Sequence, residues 1–191
     1  MNKTHAGLLL VLGGARSGKS RLAQQHAEQW LQQAQGLEQT QIVPAKPSST
    51  RLVYVATATA GDDEMSSRIA QHRADRDERW QTIEVPIALA ESLAGIADSR
   101  CVLVDCLTLW LSNCLHQGTW ARQRQALLQY LDTRSRSAPL IMVSNEVGSG
   151  IVPLGQLSRE FVDAAGWLHQ ALAARAESVT LAIAGLPLKV K

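Results

Sequence analysis

An apolar run, Leu8-Leu9-Leu10-Val11-Leu12, passes directly into Gly13-Gly14-Ala15-Arg16-Ser17-Gly18-Lys19-Ser20 and then into Arg21-Leu22-Ala23-Gln24-Gln25. Strand, glycine-rich loop and helix in that order, with the pattern G-x-x-x-x-G-K-S, form the context of a phosphate-binding loop. The glycines let the chain curl so that successive N–H groups converge on phosphate oxygens, and the helix that follows adds its positive end. Lys19 is placed to reach the β- and γ-phosphates and the Ser20 hydroxyl to ligate Mg²⁺. The expectation is a bound nucleoside triphosphate, and a loop of this kind requires a sheet whose strands end at a common crevice.

The rest of the chain reads in agreement. Apolar runs recur at 52–56, 101–104, 140–143 and 179–184 with helical patterns between them. Nearly continuous apolar strands are those covered on both faces, so the expected fold is a three-layer α/β sandwich with a mostly parallel sheet. A shorter run at 80–85 carries Gln81, Thr82 and Glu84 and reads as an edge or exit segment. After Gly185, residues 186–191 read as an antiparallel edge strand folding back. Helical patterns are clearest over 155–177, where Leu157, Phe161, Ala164, Leu168 and Leu172 share a face, and over 119–136. Residues 36–50, with Gly36, Pro44 and Pro47 and no periodicity, read as a flexible connection.

With 191 residues, 46% apolar and 19% charged, the chain fits one globular domain over 1–191. A formal charge of +2 and the lack of a lysine-rich block argue against a nucleic-acid partner. No apolar run is long enough to span a bilayer. Cleaving 8–12 as a leader would destroy the phosphate loop, and Cys101, Cys106 and Cys114 read as buried free thiols, so a cytoplasmic protein is expected.

Three further segments carry candidate chemistry. Cys101-Val102-Leu103-Val104-Asp105 has the form of a Walker B strand, whose terminal carboxylate holds Mg²⁺ directly or through water. Thr57-Ala58-Thr59-Ala60-Gly61 leads into Asp62-Asp63-Glu64-Met65, acidic residues suited to a helix start. In the helical stretch that follows, Arg68, His72 and Arg76 share a stripe. Spacing alone leaves two readings of His72: an amphipathic helix with a partly buried histidine, or a neutral imidazole among phosphate-binding guanidinium groups. Ser144-Asn145-Glu146-Val147-Gly148-Ser149-Gly150 closes the fourth strand, where Asn145 and Glu146 either touch substrate, orient Mg²⁺ or cap a glycine-rich turn. His5, His26, His116 and His169 have no evident partners and read as structural or exposed.

Taken together these segments resemble the bifunctional adenosylcobinamide kinase/adenosylcobinamide-phosphate guanylyltransferase family. The resemblance rests on residues 13–20, on Asp62-Asp63-Glu64-Met65 with Arg68-Ile69 and His72, on Val104-Asp105-Cys106-Leu107-Thr108, and on Asn145-Glu146-Val147-Gly148-Ser149-Gly150-Ile151-Val152-Pro153. It implies a RecA-like P-loop fold, usually assembled as a trimer. It also implies two reactions: phosphorylation of adenosylcobinamide by ATP or GTP, then transfer of GMP from GTP to adenosylcobinamide phosphate. By resemblance, His72 carries the guanylyl group. The nucleotide contacts map to Gly13, Gly14, Ala15, Arg16, Ser17, Gly18, Lys19, Ser20, Thr57, Ala58, Thr59, Arg73, Ala74, Asp75, Arg76, Glu84 and Asp105. Mg²⁺ falls to Ser20 and Asp105.

The chain departs from the family in three places: the long connection before the second strand, Gln71 where a second histidine often stands, and Asp105 where some members have Glu. The base for the kinase step stays open among Asp105, Glu84 and Glu146. A plain P-loop kinase indifferent to His72, or a nucleotide-driven module acting on a partner, are the competing readings.

Overall fold

The computed structural model describes residues 7–39, 52–59, 77–134 and 137–191. The elements run β1 (Leu8–Gly13), α1 (Lys19–Gln39), β2 (Leu52–Ala56), β3 (Trp80–Glu84), α2 (Leu89–Ala94), β4 (Cys101–Asp105), α3 (Leu107–His116), α4 (Trp120–Thr133), β5 (Leu140–Asn145), α5 (Gln156–Arg175), β6 (Ser178–Ile183) and β7 (Leu186–Lys189). They form a seven-stranded sheet in the order β3-β2-β4-β5-β1-β6-β7. All pairings are parallel except β6 with β7, which closes the edge as an antiparallel hairpin. This is the RecA-like P-loop architecture with an antiparallel carboxyl-terminal edge.

Alternation along the buried strands divides the core into two layers. On one face Leu9, Val11, Leu52, Tyr54, Leu103, Ile141 and Val143 pack against Ala23, Ala27 and Leu31 of α1. On the other, Leu10, Val53, Val55, Val102, Val104 and Met142 meet Leu89 and Leu93 of α2, Leu107 and Trp110 of α3, Leu127 of α4, and Leu168 and Leu172 of α5. The small alanines of α1 let that helix lie close over the sheet, which brings its amino terminus to the end of β1. The short run at 80–85 is the parallel edge strand β3. The helices α2 and α3 gave no distinct pattern in the sequence. With six residues, α2 is too short for a period, and in the ten residues of α3 the buried face of Leu107, Thr108, Trp110, Leu111 and Cys114 includes a polar residue while the half-buried Leu109 and Leu115 extend the apolar run beyond it.

One boundary differs from expectation. The connection taken to start at residue 36 starts later, because α1 continues through Gln39. A glycine inside a helix costs about 1 kcal/mol relative to alanine, which a helix of 21 residues tolerates. Residues 40–50 lie outside the described residues.

Candidate nucleotide site

The parallel strands β1, β2, β3, β4 and β5 all end at one edge of the sheet, and the sequence-predicted residues that the structure describes collect along it. Between β1 and α1 the loop takes its shape from backbone left-handed at Arg16 (φ 56°) and Gly18 (φ 90°). Ser17 N–H donates to the Gly14 carbonyl at 3.3 Å, and Leu22 N–H to the Gly18 carbonyl at 3.0 Å starts the helix ladder. Gly13 admits no side chain: a Cβ there would collide with Ser17 Oγ and stand 2.8 Å from the Ala182 carbonyl. Gly14, Ala15 and Arg16 form an exposed rim, while Ser17 and Lys19 are buried beneath it.

Two features of this loop suit an anion. Lys19 Nζ donates to the Gly14 carbonyl at 3.1 Å, which keeps the ammonium folded over the loop. The Ser17 hydroxyl is buried with no hydrogen-bond partner among the described residues. The first turn of α1 has no acidic residue, so nothing on the helix itself offsets its positive end.

Neighbouring strands brace the loop from both sides. Glu146, directly after β5, donates its N–H to the Gly13 carbonyl at 2.9 Å. On the far side, Gly185 N–H in the β6–β7 turn donates to the Ser17 carbonyl at 2.9 Å.

Asp105 ends β4, with β5 interposed between it and the loop strand. Tyr54 Oη donates to Asp105 Oδ2 at 3.0 Å and fixes the carboxylate. Beside it, Thr57 Oγ1 accepts Cys106 N–H at 2.9 Å and donates to the Cys106 carbonyl at 2.7 Å. Thr57 N–H donates to the Asp105 carbonyl at 3.3 Å, and its own carbonyl accepts Asn113 Nδ2 at 2.9 Å. Every polar group of Thr57 is thus used within the protein, and this buried residue stitches β2 to β4. Ala58 is half-buried and Thr59 exposed. Glu84 ends β3 in register with Ala56, exposed at the outer end of the same edge. His72, Arg73, Ala74, Asp75 and Arg76 lie outside the described residues, as do Asp62, Asp63, Glu64 and Arg68.

The site also contains a group that the sequence reading passed over. His169 on α5 is not without partners: its Nε2 is 2.7 Å from the buried Ser144 Oγ, and its Nδ1 is 3.8 Å from Glu146 Oε2. Burial pushes the His169 pKa below its ordinary value of 6.5, with the Glu146 carboxylate pulling the other way. The imidazole is therefore neutral at neutral pH. A Ser144 hydroxyl that donates to Nε2 leaves the proton on Nδ1, facing the carboxylate. Glu146 Oε1 in turn accepts Gly148 N–H at 2.6 Å and lies 3.4 Å from Ser149 Oγ. The available signal was a polar Ser144 in an apolar strand and a polar His169 beside the apolar stripe of α5, since two buried polar groups generally need each other. Asn145, left open between ligand and cap, donates Nδ2 to Thr108 Oγ1 at 3.0 Å.

The donor chemistry fits Mg²⁺. Ser20 and Asp105 supply hard oxygens, and no cluster of three His, Cys, Asp or Glu residues able to hold a metal occurs among the described residues. Two protein oxygens, with triphosphate oxygens and water for the rest, is the way Mg²⁺ is commonly held.

Proteins similar to this chain match it over nearly its whole length. The family described as "Cobinamide kinase / cobinamide phosphate guanyltransferase" matches residues 9–190. The bifunctional adenosylcobalamin biosynthesis protein CobP of Pseudomonas aeruginosa is 50% identical over 186 residues, covering 95% of this chain and 96% of its own. The protein of the same description, CobU, from Escherichia coli K12 is 36% identical over 201 residues, covering 96% and 99%. Among solved structures, the RadB recombinase aligns over 93% of this chain and 74% of its own with a TM-score of 0.49 and 17% identity; the architecture stands on its own strand order. The chain belongs to the family of bifunctional cobinamide kinases and cobinamide phosphate guanyltransferases.

Proposed function

We propose that this chain phosphorylates adenosylcobinamide with ATP or GTP and then transfers GMP from GTP to the resulting phosphate, through a guanylyl group carried on His72. The observation that carries the reading is the loop with Lys19 drawn inward and a helix start free of acidic residues, in a chain of this family. In the first reaction the loop amides and Lys19 hold the β- and γ-phosphates and offset the charge that develops as the γ-phosphoryl leaves. Ser20 and Asp105 would hold Mg²⁺, which supplies charge neutralisation and orients the triphosphate when bound.

In the second reaction a ring nitrogen of neutral His72 forms a bond to the α-phosphorus of GTP as the bond to the β-phosphate bridge breaks, releasing pyrophosphate. An oxygen of adenosylcobinamide phosphate then attacks the same phosphorus, and the N–P bond breaks to restore the imidazole. One hard displacement becomes two easier ones. Thr59 and Glu84 at the β2–β3 end, with Arg73 and Arg76, are assigned to the guanine nucleotide. This reading places the chain in the cytoplasm, where both triphosphates occur, as a homotrimer.

The test uses GTP labelled at the α-phosphate, with Mg²⁺, followed by denaturation. Acid-labile label is expected on the wild type and absent from His72→Ala, which still phosphorylates adenosylcobinamide. Lys19→Ala is expected to lower both reactions at least about 100-fold, the scale of one lost charge-stabilising contact. A wild type that binds GTP and takes no label refutes the guanylyl-histidine. Equal guanylyl transfer by wild type and His72→Ala points instead to direct displacement.

A further inference from the structure

The two proposed reactions differ in one chemical respect. The kinase nucleophile is a hydroxyl, which must lose a proton. The nucleophiles of guanylyl transfer are a neutral imidazole and a phosphate already ionised, and these need no base. A residue that accepts the hydroxyl proton therefore serves one reaction only, and three carboxylates were open for it.

Strand order separates them. Glu84 ends β3, four strand spacings from β1, which is about 19 Å at the usual spacing. Asp105 is two strands from β1, level with Val143 and so three residues below Glu146 along β5, and its Oδ2 accepts the Tyr54 hydroxyl. Glu146 stands next to the loop, its own N–H bonded to the Gly13 carbonyl. Its two oxygens are in different situations. Oε1 is pinned by Gly148 N–H and Ser149 Oγ. Oε2 has no hydrogen bond among the described residues; His169 Nδ1, 3.8 Å away, marks its side of the site. The side chain is 29% exposed at the crevice, so it is neither sealed in the core nor loose in solvent.

We propose that Glu146 is the proton acceptor of the kinase reaction, with His169 and Ser144 as positioning residues behind it. This rests on the kinase half of the function proposed above. As the acceptor hydroxyl oxygen bonds to the γ-phosphorus, its O–H bond breaks and the proton passes to Glu146 Oε2. The bond from the γ-phosphorus to the β-bridging oxygen breaks, and the nucleoside diphosphate leaves with that electron pair. Glu146 then releases the proton to water. His169, neutral and fixed through Ser144, turns Nδ1 toward Oε2 and limits where the carboxylate can swing.

A carboxylate that only caps the Gly148 turn would share most of this geometry, and two substitutions separate the roles. Glu146→Gln keeps the length and the acceptor for Gly148 N–H but not the basicity. Glu146→Asp keeps a carboxylate but is one methylene shorter. With ATP and adenosylcobinamide, E146Q is expected to lower kinase kcat at least about 100-fold, within the range of a lost general base. E146D is expected to keep more activity than E146Q. Labelling of the protein by α-labelled GTP is expected to fall by at least about thirtyfold less than kinase kcat, because that step moves no hydroxyl proton. The inference is overturned if E146Q retains as much kinase activity as E146D, or if kinase and labelling fall in parallel. A melting-temperature rise on adding ATP checks that each variant is folded and binds nucleotide. A wild type that makes no phosphorylated cobinamide refutes the proposed function itself, a result distinct from either failure of the variants.

Discussion

At the scale of single residues, the site is assembled from groups that satisfy one another at a distance in sequence. Gly13 could be read from the loop pattern, because only that pattern demands it, and the clash of any Cβ with Ser17 and Ala182 supplies the reason. His169 could not be read in this way. Its partners Ser144 and Glu146 are on another element, and nothing in local spacing brings α5 over the end of β5. The buried imidazole also makes the fold sensitive to acid. With its pKa depressed by burial, the unfolded chain takes up a proton near 6.5 and the folded chain only at lower pH. Stability from this group is thus full above 6.5 and lost as the pH falls below it. His169→Leu, which keeps bulk but offers no hydrogen-bonding group, is expected to cost about 1–3 kcal/mol at neutral pH through the unpaired Ser144. It should also flatten the acid side of the profile, read as the shift in urea midpoint between about pH 7.5 and about pH 5. A variant whose midpoint falls as steeply as the wild type would show that His169 does not carry this dependence.

At the scale of elements, the sequence was most legible where the physics is local. Nearly continuous apolar strands announced a sheet covered on both faces, and Gly185 announced the final hairpin. The short α2 and α3 were not legible, because a period cannot be seen in six residues and is blurred in ten where Leu109 and Leu115 lie beside the buried face. The β6–β7 turn shows how a legible element does work that its own pattern does not reveal. Ala184 and Gly185 form a two-residue connection with both at positive φ, 51° and 81°, as in a type I′ turn. That geometry aims Gly185 N–H at the Ser17 carbonyl of the phosphate loop. A Cβ on Gly185 would stand 3.1 Å from Arg21 Nη2. Gly185→Val, strained in a left-handed conformation at about 1–3 kcal/mol, is expected to lower the melting temperature and to weaken nucleotide binding about tenfold through the displaced loop. Ala184→Gly relieves the positive φ of a non-glycine residue and is expected to raise the melting temperature with nucleotide affinity unchanged. Calorimetry with and without ATP measures both variants.

At the scale of the whole molecule, the surface is less finished than the core. Ile151, Leu154 and Leu157 are 98%, 97% and 70% exposed, and every residue of the edge strand β7 is exposed. Exposed apolar groups and an open strand edge are ordinarily covered by something. Under the proposed trimer they are covered by other copies of the chain, so light scattering is expected to return three times the chain mass, and a monomer at micromolar concentration would refute it. None of the described helices is long and apolar enough to cross a membrane. The order of strands in the sheet has a consequence for synthesis. Leu8 of β1 pairs with Leu140 of β5, and Leu9 pairs with Ser178 of β6. A ribosome therefore makes the phosphate loop before every later strand of the sheet, yet the strand that carries it stays unpaired until β5 and β6 have been made. Long-range pairing of this kind is slow and leaves the nascent chain exposed while it waits. The nucleotide cannot help the early chain to fold, and a product that stops short of β6 would display the complete motif and possess no site.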